Sequence, residues 1–232
     1  MQGTVYLIPV TLGGDDYQNV IPENVLAVTR RLRNFVVEDL RSARRYLRLI
    51  DRQFPIDETI FFELNEHTAE VEISRFLEPV GEGHDIGIMS EAGLPGIADP
   101  GSALIRLAHR KKIRIVPLSG PSSIILALIS SGMNGQNFTF NGYLPVRQEE
   151  RISKLRELEK KAHSGYAQIF METPYRSQKM AESILETCKD ETMLCIAADI
   201  TLPTESIRTM KISEWKNNVP DLNKRLVVFV LQ

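Results

Sequence analysis

The stretch Ser90-Glu-Ala-Gly-Leu-Pro-Gly-Ile-Ala-Asp-Pro-Gly101 decides the fold. It follows the apolar run Asp85 to Met89 and precedes a helical pattern from about Ser102 to Lys111. Gly93, Gly96 and Gly101 permit positive φ and close backbone approach, while Pro95 and Pro100 stiffen the chain. Asp99 reads as a helix N-cap with Pro100 at the first helical position. Strand, stiff loop and helix in that order place the loop at the carboxyl end of a parallel sheet, where open α/β folds bind ligands. A second loop of this kind, Ser119-Gly-Pro-Ser-Ser123, follows the strand-like Ile113 to Leu118 and opens an apolar helix. Its hydroxyls and free N–H groups suit either a ligand's carboxylate or ribose, or helix capping. Gly13-Gly14 after the first strand is a weaker signal of the same type.

Working outward, Thr4 to Val10 reads as a strand and Asn24 to Asn34 as a helix. Phe35 to Val37 is a strand ending in Glu38-Asp39. Ser42 to Ile50 is a helix with Ala43, Tyr46, Leu47 and Ile50 on its core face. Thr59 to Leu64, Ala69 to Leu77 and Asp85 to Met89 continue the alternation. Short apolar strands without polar alternation, separated by helices, predict a mostly parallel, buried sheet. After the boundary, the helix Ser122 to Ser131, the strand Asn137 to Leu144, the charged helix Gln148 to Ala162, the strand Tyr166 to Glu172 and the helix Arg176 to Thr187 follow. From Met193 the chain is strand-rich, which predicts antiparallel pairing and a mixed second sheet. The expected domains are 1–118, α/β, and 119–232, α+β.

With 232 residues, 43% hydrophobic and 25% charged, the composition is that of an ordinary globular protein. No run approaches the roughly 20 apolar residues of a membrane span. MQGTVYLIPV enters a strand directly and lacks the features of a signal peptide, so a cytoplasmic location is expected. Cys188 and Cys195 read as small core residues, and Trp215, Tyr166 and Tyr175 as packing aromatics. The four histidines are scattered and no C-x-x-C or H-E-x-x-H occurs, so no metal site is expected. P-loop, G-x-G-x-x-G and G-x-S-x-G motifs are absent as well. The net charge of −2 argues against wrapping nucleic acid over the whole surface. Between Arg30 and Arg48, however, seven arginines face only Glu38 and Asp39, a local basic stripe suited to a polyanion on one face. Arg41, Arg45 and Arg48, or alternatively Arg44 and Arg48, fall on one face of their helix opposite the apolar one, so they serve as RNA contacts or simply as its wet side.

SEAGLPGIADPG and PLSGPSS, followed by FNGYLP, closely resemble the tetrapyrrole-methylase superfamily, and within it the branch of ribosomal RNA small-subunit methyltransferase I. The resemblance spans essentially the whole chain. It implies two α/β domains with S-adenosylmethionine in the cleft between them, and a homodimer. It further implies cofactor contacts from Pro9 and Val10, from Gly93, Pro95, Ile97 and Ala98, from Ser122 and Ser123, and from Met171 and Ala197 in the second domain. The branch pattern T-P-I-G-N stands here as Val10-Thr-Leu-Gly-Gly14, E-D-T-R as Glu38-Asp-Leu-Arg41, and H-E-H-N-E as Phe62-Glu-Leu-Asn-Glu66. S-D-A-G-T-P stands as Ser90-Glu-Ala-Gly-Leu-Pro95, E-S-P-H-R as Glu172-Thr-Pro-Tyr-Arg176 and A-R-E-L-T as Ala197-Ala-Asp-Ile-Thr201. The cofactor scaffold is kept while polar positions on the substrate side drift.

Methyl transfer requires an acceptor in line with the S–CH3 bond, and a ribose hydroxyl also benefits from a nearby base. Glu38, Asp39, Glu66 and Glu91 are the candidate catalytic carboxylates, with Glu38 also placed for an ion pair to Arg41. Arg41, Arg44, Arg45, Arg48, Asn65 and His67 are the candidate substrate contacts. The expected acceptor is a ribose 2′-hydroxyl of small-subunit ribosomal RNA. A tetrapyrrole or other small-molecule methyltransferase, and a cofactor- or RNA-binding relative without turnover, stay open on the sequence.

Overall fold

The computed structural model describes residues 2–65 and 68–232. They form two compact units that divide between Ser122 and Ser123, so Ser119 to Ser122 stay with the first unit rather than opening the second. The reason is local: the Leu118 N–H donates to the Leu7 carbonyl, which carries the chain past the end of its strand along the first sheet.

The first unit runs β1 (Thr4–Leu7), α1 (Glu23–Arg31), β2 (Asn34–Val37), α2 (Leu40–Ile50), β3 (Ile60–Glu63), α3 (Glu70–Arg75), α4 (Glu78–Gly81), β4 (Ile86–Met89), α5 (Gly101–Arg110) and β5 (Arg114–Pro117). All pairings are parallel, in the order β3-β2-β4-β1-β5. Ile8, Phe35, Val37 and Met89 face a core shared with α1 and α2. Val5, Val36, Ile86 and Ile88 face another, shared with α3, α4 and α5. Both faces are therefore dry, which is why every residue of β2 and β4 is buried and all but Asn34 are nonpolar. Phe35 stacks on Phe61 at 5.9 Å and meets Phe54 edge-on at 6.1 Å, each pair contributing about 1 kcal/mol beyond burial.

The strand order creates a switch point. The chain leaves β1 toward β2 through α1 on one face, and leaves the adjacent β4 toward β5 through α5 on the other. A crevice opens outside the carboxyl ends of β1 and β4, where such sheets bind ligands.

The second unit comprises α6 (Ser123–Ser131), β6 (Phe138–Tyr143), α7 (Gln148–Ala162), β7 (Ala167–Glu172), α8 (Ser177–Thr187), β8 (Met193–Ala198), β9 (Ser206–Lys211), α9 (Ile212–Trp215) and β10 (Val227–Leu231). Its sheet is mixed, ordered β6-β7-β10-β8-β9, with β6 and β7 parallel and the other pairs antiparallel. Phe170 and Phe229 stack at 5.5 Å in a core closed by α7 and α8. Trp215 is buried there and donates to the Leu194 carbonyl at 2.9 Å. Cys188 and Cys195 are buried free thiols, and burial pushes the Cys188 thiol up to about 12.

Some expectations shift. The helical pattern expected over 69–77 is realised only as the short α3, Glu70–Arg75, and a further helix, α4, follows at Glu78–Gly81. Tyr166 and Tyr175 do not pack: Tyr166 is 49% and Tyr175 86% exposed, the latter in the turn before α8. Among the described residues, no helix is long and apolar enough to cross a membrane.

Candidate methyl-transfer site

Three loops meet at the carboxyl ends of β4, β1 and β5. Strand pairing ends one residue after β1, where the Ile8 N–H donates to the Ile88 carbonyl, so Pro9 and Val10 lie beyond the strand. The Val10 N–H then donates to the Gly93 carbonyl at 2.9 Å and the Gly93 N–H to the Thr11 carbonyl at 3.4 Å, which lashes the β1 and β4 loops together. Gly93 sits at φ +70°, and a Cβ there would lie 3.3 Å from the Pro121 carbonyl oxygen of the β5 loop. A Cβ on Gly120 would lie 2.1 Å from the Pro9 Cβ, so only glycine lets the β5 loop seat against the β1 loop. The result is a cradle of backbone groups walled by prolines.

Within the β4 loop, Asp99 does more than open a helix. Its two carboxylate oxygens accept from the Gly96 and Gly101 N–H groups, each at 2.7 Å. Helix α5 starts at Gly101 with Pro100 as its cap residue, one position later than expected, because Asp99 instead cross-links the loop to the helix start. Pro95 is buried, whereas Ala98, at φ 59°, is exposed and Ile97 is 43% exposed. Ser122 is buried behind Pro121 in the β5 loop, and Ser123 begins α6. Met171 and Ala197 belong to the second unit, where both pair with Val228 on β10 and so share one face of its sheet. Just beyond Ala197, Asp199 is held at φ 51° by Arg225 at 2.7 Å and Thr204 at 2.8 Å.

The carboxylates separate by role. Glu38 follows β2, is half-buried, and accepts the Glu91 N–H at 3.2 Å, which joins the β2 and β4 loops. Burial raises its pKa, and the charges of Glu91, Asp99 and Asp39 raise it further against the opposing Glu91 N–H bond. Among the described residues Arg41 makes no ion pair with it; Arg41 lies instead beside Asp39. Asp39 is the N-cap of α2, accepting the Ser42 N–H at 2.6 Å, and that bond holds its pKa below the ordinary value. Glu91 is exposed at the rim. Glu66 and His67 lie outside the described residues. Asn65 is exposed after β3, with its N–H bonded to the Thr68 hydroxyl at 3.0 Å.

Of the arginines, Arg41, Arg44, Arg45 and Arg48 are all exposed on α2, opposite the buried Ala43, Tyr46, Leu47 and Ile50. The stripe is shorter than its seven members suggest. Arg30 pairs with Glu23, Arg31 binds the Tyr6 hydroxyl, and Arg33 bonds two backbone carbonyls.

Two features carried little weight in the sequence. Tyr46 reads as an apolar core position, yet its hydroxyl donates to the Pro9 carbonyl at 3.3 Å and fastens the cradle to α2. Gly13-Gly14 lines a cleft of about 460 Å3, solvent at its mouth included, between the β1 loop, the β4 loop and α2. Spacing alone signals neither, because the tip of a side chain and the shape of a loop are set by packing.

A family model described as Tetrapyrrole (Corrin/Porphyrin) Methylases matches residues 5–216. A protein from Vibrio cholerae named ribosomal RNA small subunit methyltransferase I is 30% identical over 212 residues, 90% of this chain and 69% of that one. A protein of the same name from Haemophilus influenzae is 29% identical, covering 100% of this chain and 79% of the relative. Among solved structures, the methyltransferase CobJ superposes with a TM-score of 0.63 at 19% identity, covering 98% of this chain and 93% of that one, a likeness of fold. The parallel sheet with its loop cradle, the mixed second sheet and the family match together make this chain a methyltransferase that belongs to the tetrapyrrole (corrin/porphyrin) methylase family.

Proposed function

We propose that this chain uses S-adenosylmethionine to methylate small-subunit ribosomal RNA at a ribose 2′-hydroxyl. The observation that carries the cofactor reading is the glycine-seated cradle: Gly93 against Pro121, Gly120 against Pro9, and the Val10 N–H on the Gly93 carbonyl. Such a cradle fits a nucleoside-bearing sulfonium, which needs apolar walls and a few backbone partners rather than charged side chains. Pro9, Val10, Gly93, Pro95, Ile97, Ala98 and Ser122 are the first-unit residues that would hold it. Ser123, Met171 and Ala197 rest on the family resemblance alone. The names of the relatives, ribosomal RNA small subunit methyltransferase I, support ribosomal RNA as the acceptor class.

Bound there, the cofactor supplies a methyl group on a positively charged sulfur. The chain's own residues would have two tasks, to orient the acceptor hydroxyl and to receive its proton as the C–O bond forms and the sulfur–methyl bond breaks, its electron pair returning to sulfur. Orientation to within about 3–3.5 Å of the methyl carbon is worth roughly 7–11 kcal/mol. Glu38 is the residue that would receive the proton: it stands at a strand end beside the cradle, and its raised pKa supports that reading, since it makes a better base than an ordinary carboxylate. Glu91 lies next to it at the rim. A homodimer in the cytoplasm is the accompanying expectation, tested by light scattering and fractionation.

Calorimetry with S-adenosylmethionine tests the cofactor reading. The intact protein is expected to bind, and Ile97→Arg to bind at least ten-fold more weakly, on the order of the cost of placing a charge on an apolar wall; absence of heat from the intact protein overturns it. Labelled cofactor with small ribosomal subunits tests the acceptor, and label entering only porphyrinoids would remove RNA from the proposal.

A further inference from the structure

Among the arginines from 30 to 48, one differs from the rest. Arg30, Arg31 and Arg33 are tied to Glu23, Tyr6 and backbone carbonyls. Arg44 lies over the Phe61 ring at 5.4 Å, Arg48 donates to the Arg52 carbonyl at 2.8 Å, and Arg41 sits beside Asp39. Among the described residues neither Arg41 nor Arg45 has a side-chain hydrogen bond, ion pair or ring contact, and of the two only Arg45 lines the cleft between the β1 loop, the β4 loop and α2.

The rest of the lining has a definite chemistry. Val10, Ala43, Leu49 and Met89 give apolar surface, while Asp15 and Glu91 add two carboxylates. One cation with open valence, hydroxyl-seeking carboxylates and an apolar floor match a sugar phosphate: anion, hydroxyls and a nonpolar ring face. Val10 belongs to both cleft and cradle, so a group seated in the cleft adjoins the proposed methyl donor.

We infer that this cleft seats one nucleotide of the RNA acceptor, with its phosphodiester on Arg45 and its ribose hydroxyls toward Asp15 and Glu91. The inference rests on the proposed RNA reading and adds the seat to it. It also separates Arg45 from the rest of the arginine face: Arg45 fixes the position of one phosphate, while its neighbours on α2 hold the helix surface or raise the local potential.

The test compares Arg45→Ala with Arg52→Ala, which removes the same charge just beyond α2, outside the cleft. Affinity of the whole protein for a single-stranded RNA oligonucleotide from the small subunit is measured by filter binding, without cofactor, over a salt series. Arg45→Ala is expected to weaken binding about ten-fold, as loss of a charge-assisted hydrogen bond does, and to lower the salt slope by about one ion. Arg52→Ala is expected to change affinity less than two-fold, as a screened, non-contacting charge does. Arg45→Lys should recover the slope but only part of the affinity, since an ammonium lacks the planar fork. Equal losses in Arg45→Ala and Arg52→Ala, or none in either, overturn the seat. Calorimetry with S-adenosylmethionine on the same variants keeps the two proposals apart: failure of the intact protein to bind it removes the methyl-donor reading, whereas the RNA measurements alone decide the cleft.

Discussion

The Tyr46 hydroxyl donates to the Pro9 carbonyl oxygen at 3.3 Å, joining the buried face of the arginine-bearing helix to the loop that follows the first strand. Tyr46 is only 7% exposed, and its burial pushes the phenol's pKa well above the ordinary value, so it remains a donor at every physiological pH. Tyr46→Phe keeps the ring and removes only the hydroxyl, leaving the Pro9 carbonyl without that partner. The expected cost is about 1 kcal/mol of stability, with S-adenosylmethionine affinity reduced several-fold because the loop loses its fixed position. Denaturant unfolding and calorimetry measure the two effects separately. An unchanged cofactor affinity in a correctly folded variant would confine Tyr46 to packing.

Gly120 gives a steeper test of the same cradle. A methyl group there would overlap the Pro9 Cβ at 2.1 Å, so the β5 loop must move away from the β1 loop. Gly120→Ala is expected to cost about 1–3 kcal/mol through overpacking and to lower cofactor affinity at least ten-fold. Gly135→Ala is the control, since a Cβ at that position meets nothing within 4 Å. If both variants unfold at the same denaturant concentration as the parent protein, the tight seat is not a feature of the molecule in solution.

The sheet was legible because burial on both faces leaves a compositional mark. Val36, Val37, Ile86 and Ile88 cannot alternate with polar residues when helices cover both sides. The β4 loop was legible for a different reason: glycines and prolines in that density restrict the backbone directly, without help from distant residues. Tyr46 and Asp99 show where such reading stops. Helical periodicity assigns Tyr46 to the core but is silent about what its hydroxyl reaches, 37 residues away in sequence. Asp99 before Pro-Gly reads as a cap, whereas the folded loop turns it back onto Gly96 as well. The arginine stripe was overstated for a similar reason, because a charge count does not reveal which guanidinium groups the fold has already engaged.

Asp39 illustrates how a candidate base acquires another task. Its carboxylate accepts the Ser42 N–H at 2.6 Å, and this bond, reinforced by the Ser42 side chain and Arg41, holds its pKa below the ordinary 3.8. A lowered native pKa means that the unfolded chain binds the proton more readily. The stabilisation is thus complete above pH 3.8 and is lost as pH falls through the lower, folded value. Asp39→Ala is expected to cost about 1 kcal/mol at pH 7, the typical worth of an N-cap, and to leave kcat within a factor of about two. Asp39→Asn should recover most of the stability. A hundred-fold fall in kcat for Asp39→Asn at unchanged stability would move Asp39 from capping to chemistry.

Glu38 is where pH dependence discriminates most sharply. Burial, followed by the charges of Glu91, Asp99 and Asp39, raises its pKa above 4.5 despite the Glu91 N–H bond. The sign is opposite to that of Asp39: the folded protein binds this proton more tightly than the unfolded chain. Ionising Glu38 therefore subtracts stability as pH rises from 4.5 through its folded value. Glu38→Gln removes that ionisation and is expected to leave the protein at least as stable as the parent at pH 7. Activity should move the other way, because the amide cannot take a proton. A fall in kcat on the order of 100-fold is expected, in the usual range for loss of a general base. The parent enzyme's rate is expected to decline as pH drops through the raised Glu38 pKa, and Glu38→Gln to lose that acidic limb. A variant that keeps both its rate and the same pH profile would leave Glu38 as the brace between the β2 and β4 loops and pass the proton-accepting role to another group.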